Sequence, residues 1–230
     1  MEQLLETARV DRRCARTRKA LRDALAAEIL ATGDLGKVTV TSVADRAGVT
    51  RRTFYSHYRD IPDLVRVIED EALCELGRRA REIVQVTLPE LEEAIRRFEP
   101  CPGVADLLRY FQTDGSHLAA LLGKGGDPAF AEKIKDMVRT VVMERALHGF
   151  SPLALPVFEY YLTFVISAEV GVLVRWLTSG MNEPPEVMAR MMTSLMFIRP
   201  GDLYGRPVDF DVNTLAKRAL TMRRELEDVR

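Results

Sequence analysis

The stretch VTVTSVADRAGVTRRTFYSHY, Val38 to Tyr58, decides how the rest of the chain is read. Gly48 suits a turn between two short helices, because it adopts a positive φ without steric cost. Ala44, four residues earlier, is small enough for two helices to cross there. Val43, Ala47, Val49 and Phe54 fall on the inward positions. Thr50 is placed to cap the second helix through its hydroxyl, and Val49 and Phe54 have the spacing of a hydrophobic staple across that cap. Turn, cap and burial pattern agree on a helix-turn-helix. The last inward position falls on His57, with Tyr58 beside it, which predicts a short second helix closed by the Tyr58 ring.

With Phe54 pointing inward and 100° per residue, Arg52 and Ser56 point outward. Thr53 and Tyr55 flank them, and Arg51 lies nearer the scaffold. Arg52 suits either a bidentate contact to guanine or a grip on phosphate. The hydroxyls of Thr53, Tyr55 and Tyr58 suit phosphate oxygens. Thr41 is placed to offer its hydroxyl and helix-end amides to a phosphate. Each of these residues alone is ordinary surface; together, on the second helix of this motif, they read as a DNA-contacting face.

Charge extends the reading outward. The chain of 230 residues has a formal net charge of −1, yet Arg12 to Arg59 holds eleven bases and four acids, a net +7, which leaves −8 elsewhere. A basic amino-terminal module on an acidic remainder implies a division of labour; a solvated helix face is the plain alternative. Alternating β patterns are scarce and helical periodicity runs throughout. The expected fold is all-α: a helix-turn-helix domain over residues 1–60 and a second helical domain over 61–230. The predicted helices cover about Arg13–Ala31, Thr41–Ala47, Arg51–Tyr58, a long one capped by Asp60 and running to Val84, Pro89–Phe98, Val104–Gln112, Ser116–Leu122, Pro128–His148, Pro156–Ser179 and Pro185–Phe197. A loop and a charged helix from about Thr214 follow.

The run from Thr39 to Val65, with the basic helix RTRKALRDALAAEIL before it, resembles the DNA-binding signature of the TetR family of bacterial transcriptional regulators. The resemblance spans roughly the first quarter of the chain. It implies that Thr50 to Tyr58 is the recognition helix, that Thr39 and Thr41 start the supporting helix, and that Ala44, Gly48 and Phe54 are architectural. The implied DNA-binding set is Thr39, Thr41, Thr50, Arg51, Arg52, Thr53, Tyr55, Ser56, His57 and Tyr58. One position departs: Ile61 stands where the family usually has a lysine, so a phosphate contact is in doubt there, and Arg59 is the nearest substitute. The run GVLVRWLTSGMNEPPEVMARMM, Gly171 to Met192, is similar to the last helical pair of one TetR subgroup, which implies pairing across a two-fold axis. The apolar helix from Tyr160 to Leu177 needs cover on nearly every side. Ala168, Gly171, Met188, Met192 and Leu195 are the expected dimer-interface residues; a monomeric core is the alternative.

The expected pocket for a small-molecule effector is lined by Tyr110, Phe111, His117, Met137, Met143, Tyr160, Tyr161 and Phe164. Aromatic and Met residues at helical spacing are also ordinary core. Glu169 interrupts the apolar helix, as an intersubunit or surface carboxylate or as a ligand anchor. Cys14, Cys74 and Cys101 form no CxxC pair, which argues against a secreted disulfide framework; Cys101 is a weak candidate redox sensor. No metal-ligand set, phosphate loop or nucleophile elbow appears, so no metal, cofactor or catalytic residue is expected. The amino terminus lacks a signal peptide's apolar core, and no membrane span is expected because Glu169 and Arg175 interrupt the apolar stretch. The expectation is a cytoplasmic, homodimeric DNA-binding regulator, a repressor released from a pseudo-palindromic operator by a small molecule. The alternatives are control by a protein partner or no effector at all, and a small-molecule binder or enzyme with a vestigial DNA module.

Overall fold

In the computed structural model of the chain, the described residues are 2–113, 115–146, 155–196 and Thr221. They are helical, with no strand among them. The expected loop after Pro200 and, apart from the helical Thr221, the helix from Thr214 lie outside them. The helices are α1 (Glu2–Thr32), α2 (Val40–Arg46), α3 (Arg51–Tyr55), α4 (Ile61–Ile83), α5 (Leu88–Arg96), α6 (Val104–Thr113), α7 (Leu118–Leu122), α8 (Pro128–Ala146), α9 (Leu155–Thr178) and α10 (Pro185–Leu195). A 3-10 turn, Leu35–Lys37, links α1 to α2.

Helix α1 starts well before the predicted Arg13, because its amino-terminal half has no Pro or Gly to stop it. Its carboxy-terminal half buries Leu21, Ala24, Leu25 and Ile29, at helical spacing, in the core where α1 meets α2 and α7. Each of the three large side chains contributes about 1.5–3 kcal/mol relative to exposure. Gly33, with φ at +65°, ends α1. Val38, Val43, Phe54 and Tyr58 complete the core of the head. That core continues without a break into the body through Ile61, Leu64, Val65 and Ile68 of α4.

In the body, α4 packs on α8, α8 on α9, α7 on both α1 and α9, and α10 on α6. Leu108, Phe111, Leu118, Leu121, Phe130, Ile134 and Trp176 fill the space between them. Trp176 donates its indole N–H to the Glu183 carbonyl at 3.0 Å, fixing the turn between α9 and α10. The segment Phe158–Thr178 of α9 is apolar enough, at mean hydropathy 1.4, to cross a membrane by length and composition. In this fold Leu162, Ile166, Val170, Leu173 and Trp176 instead bury one side of it in the core.

Head and body also meet through backbone. The Leu35 N–H donates to the Gly125 carbonyl at 2.7 Å, in the loop between α7 and α8. A Cβ built on Gly125 would lie 2.6 Å from the Gly33 carbonyl oxygen. Only glycine permits this approach. Gly125→Ala is therefore expected to destabilise the chain by about 1–3 kcal/mol, as overpacking does, and thermal unfolding of the variant beside the parent measures it.

Candidate nucleic-acid interface

The motif is built by local capping. Thr39 caps α2: its Oγ1 accepts the Ser42 N–H at 3.1 Å, and Ser42 Oγ accepts the Thr39 N–H at 3.2 Å. Thr50 caps α3 by accepting the Thr53 N–H at 3.1 Å. Between them Gly48 takes φ +67°, and the Val49 N–H reaches back to the Ala44 carbonyl. Val43, Ala44 and Phe54 are fully buried. The Phe54 ring meets Tyr55 edge-on at 5.7 Å and Tyr58 at 5.9 Å. Glu28 of α1 is ion-paired with Arg46 of α2, which pins the supporting helix, and that bond draws the Glu28 carboxyl below its ordinary pKa.

This scaffold displays Thr39, Thr41, Thr50, Arg51, Arg52, Tyr55 and Ser56 at the surface. Arg51 is as outward as Arg52, because α3 is only five residues long and its first turn stands clear of the scaffold. Neither arginine has an ion-pair partner among the described residues, whereas Lys19, Arg22, Lys37, Arg46 and Arg59 each have one. Ser56 donates its hydroxyl to the Thr53 carbonyl at 2.7 Å, and Thr53 is half-buried with its hydroxyl on Thr50. The most available groups are thus Arg51, Arg52 and the Tyr55 hydroxyl.

Two expected backbone contacts are turned inward. Tyr58 is 4% exposed, and burial raises its hydroxyl pKa. Its role is core closure, and its position does not present the hydroxyl to a surface ligand. His57 is half-buried, with Nδ1 3.9 Å from Cys14 Sγ on α1.

Ile61 is buried at the start of α4, behind the Asp60 cap, which accepts the Asp63 N–H at 2.8 Å. Arg59 does not stand free in place of the missing lysine: its guanidinium lies 3.3 Å from Asp63. The Asp63 carboxyl is held down to about 2, first by the Arg59 N–H and next by Arg66.

The expected pocket residues do not converge, which corrects their assignment. Phe111 is fully buried in the core, and Met137 and Met143 are half-buried packing, Met137 against Gly77. Tyr160 and Phe164 are 82% and 72% exposed, and Tyr161 is exposed beside them. They stand on the side of α9 away from Leu162, Ile166 and Val170, which face the core; helical periodicity alone does not say which side that is. Tyr110 and His117 do share a cleft of about 270 Å³, with Lys19, Arg22, Glu71 and Glu75 as walls. Arg79 lies over the Tyr110 ring at 5.0 Å.

The expected interface set divides as well. Ala168, Gly171 and Leu195 are at the surface. Met188 and Met192 are buried in the chain's own core, against the expectation that they face a partner. On α10, Val187 and Met191 are outward beside Leu195, in place of Met188 and Met192. Glu169 is half-buried without a partner among the described residues, and burial lifts its carboxyl to about 7. Cys101 is buried, its thiol raised in pKa and its N–H held by Thr193, a setting that suppresses thiolate chemistry. Sequence reading missed the buried Glu69 of α4, joined to Lys133 of α8. An acid on the inward stripe of a helix, between Ile68 and Ala72, was the available signal.

Two family profiles match this chain. Residues 24–68 match bacterial regulatory proteins of the tetR family, and residues 99–197 match a transcriptional regulator C-terminal region of the same family. The chain belongs to the TetR family of DNA-binding transcriptional regulators. It is 21% identical over 195 residues to the uncharacterized HTH-type transcriptional regulator YxbF of Bacillus subtilis (strain 168), a match covering 83% of this chain. The chain spans about half the length of that curated relative, 47%. The structure of a TetR transcriptional regulator from Streptococcus agalactiae 2603V aligns with TM-score 0.52 at 22% identity, covering 83% of this chain and 98% of that one. The fatty acid degradation regulator FadR from Bacillus halodurans aligns with TM-score 0.51 at 15% identity, covering 78% and 94%. At such identities the two structures speak to the fold.

The departure at Ile61 has a measurable consequence. Ile61→Lys places an ammonium at a core position, from which its stem must snorkel to water. The expected outcome is a loss of about 1–3 kcal/mol in stability, with no steeper salt dependence of DNA binding. Chemical denaturation beside a salt titration measures both.

Proposed function

We propose that this regulator acts as a homodimeric repressor in the cytoplasm, holding a pseudo-palindromic operator and releasing it when a small molecule binds. The observation that carries the reading is the pairing of two surfaces on one chain. One is the head face with Arg51, Arg52 and Tyr55 outward. The other is a set of apolar residues exposed among the described residues: Tyr160, Phe164, Ala168 and Gly171 on α9, with Val187, Met191 and Leu195 on α10. Both halves recur every three or four residues, as helix-packing faces do. In the proposed dimer each copy's α3 enters one of two successive major grooves, whose half-sites lie about 34 Å apart. An effector then needs only to favour a spacing of the heads that no longer fits the half-sites. This reading also reconciles α9 with its composition, because a second copy covers the face that the core does not.

DNA readout is tested on the DNA flanking the chain's own gene. Arg52→Ala is expected to weaken binding to the bound fragment by about 1–3 kcal/mol more than to random DNA if the contact is bidentate to a base. An equal loss on both DNAs makes Arg52 a phosphate contact.

Assembly is tested at Gly171. A Cβ added there meets nothing within 4 Å in the single chain. Gly171→Leu therefore leaves the protomer intact, with a gain of up to about 0.8 kcal/mol from helix propensity. Against a close-packed partner it forces the helices apart. Sedimentation is expected to show a weakened dimer, and operator affinity falls with it as the two half-sites lose their linkage. An unchanged dimer places the interface elsewhere.

A further inference from the structure

The amino-terminal half of α1 precedes residue 24, where the match to the family's DNA-binding profile begins. Residues 12–22 hold six bases and no acid. Lys19 is held by Asp23 at 2.9 Å, and Arg22 by Glu71 at 3.1 Å. Arg13, Arg16 and Arg18 are exposed, and among the described residues no carboxylate holds any of them. Like charges three residues apart on a helix repel, so Arg13 and Arg16 gain nothing from each other. Two observations place these cations beside α3. Cys14 Sγ lies 3.9 Å from His57 Nδ1, just past the Ser56 C-cap of α3. Burial lifts the Tyr58 hydroxyl pKa, and the charge of Arg18, one turn along from Cys14, opposes that lift. At 100° per residue, Arg13 and Arg16 share one flank of α1 and Arg18 lies on the other, with Cys14 between them. Because α1 is one helix, the burial of Leu21 and Leu25 fixes the direction in which this half leaves the head.

We propose that the amino-terminal half of α1 is a second DNA-holding surface, on which Arg13, Arg16 and Arg18 take phosphates of the backbone beside the groove that α3 enters. The inference rests on the reading of α3 as the groove-entering helix. In a helix-turn-helix complex the second helix fills the groove and supporting elements cross the backbone; the element joined to the end of α3 here is α1. Duplex DNA is the occupant because the surface is continuous with Arg51, Arg52 and Tyr55 and carries the same unpaired sign of charge. The spacing suits it as well. Arg13 to Arg18 spans about 7.5 Å of helix axis at 1.5 Å per residue, close to the roughly 7 Å of duplex axis between a phosphate and the next but one on its strand. Such contacts fix position and carry no base information. They add affinity on every sequence and leave the choice of sequence to α3.

The test is a salt titration of the full chain on mixed-sequence duplex DNA, repeated on the fragment it binds from the DNA flanking its gene. Each phosphate released steepens log K against log salt by about 0.9. The triple variant Arg13→Gln, Arg16→Gln, Arg18→Gln is expected to be shallower than the parent by about 2–3 on both DNAs, with the ratio of their affinities unchanged. The three positions changed to Lys are expected to keep the parent slope, which separates charge from helix structure, and each variant's unfolding curve reports its fold. Arg96→Gln with Arg97→Gln removes charge from α5 in the body and is expected to leave the slope alone. A triple variant with the parent's slope overturns the proposal and leaves these arginines to an acidic protein. An equal loss per charge in the α5 variant also overturns it, because net charge then accounts for the effect. A ratio that falls as it does for Arg52→Ala makes α1 part of base readout and overturns it too. A parent that binds neither DNA defeats the DNA-binding reading itself and takes the α1 surface with it, an outcome distinct from binding with an unchanged slope.

Discussion

Helix α4 belongs to two structures at once, and the architecture depends on its being unbroken. Its first turns, with Ile61, Leu64 and Val65, close the floor beneath the helix-turn-helix. Its later turns, with Ala72, Leu76 and Gly77, lie against the body, with Met137 of α8 packed beside Gly77. The Asp60 cap and Pro62 in the first turn fix where the helix begins. A displacement of α8 therefore reaches the head along a rigid element. The close approach of Gly125 to Gly33, and the ion pair of Arg22 with Glu71 at 3.1 Å, brace the same junction from the side.

Pairing sorts the cations of the head. Arg22 and Arg46 join helices to one another, and Lys19, Lys37 and Arg59 are each tied to a nearby acid on their own segment. Arg51 and Arg52 have no such partner among the described residues, and neither do Arg13, Arg16 and Arg18 of α1. A cation already held by a carboxylate gives up that contact before it can take a phosphate, whereas an unpaired one releases only counterions. The net positive charge of the segment thus overstates the cations free to take a phosphate.

Much of this was legible in the sequence because it is local. The Thr50 cap, the Gly48 turn and the Phe54 anchor are each decided within four residues, and the pattern needs no knowledge of the rest of the chain. The same holds for the Asp60 cap and for the helical fold class. What the sequence could not supply was the direction of each face. Periodicity places Tyr160 and Phe164 on one stripe, but whether that stripe meets the core or the surface depends on where α7 and α8 lie. The same ambiguity turned Met188 and Met192 inward and Met191 outward. Glu69 was hidden for another reason: its partner lies 64 residues away, on a helix whose placement only the fold determines.

The brevity of α3 has a consequence of a different kind. Five residues make almost no internal hydrogen-bond ladder, so the shape of this element comes from Phe54, the Thr50 cap and the ring of Tyr58 beneath it. Arg51, Arg52 and Tyr55 contribute little to that support. The residues that would choose a DNA sequence are thus separate from those that hold the element in place. Drift in operator preference can proceed at the outward positions with little penalty in foldability, and a lineage carrying this head can acquire new target genes without passing through unstable intermediates.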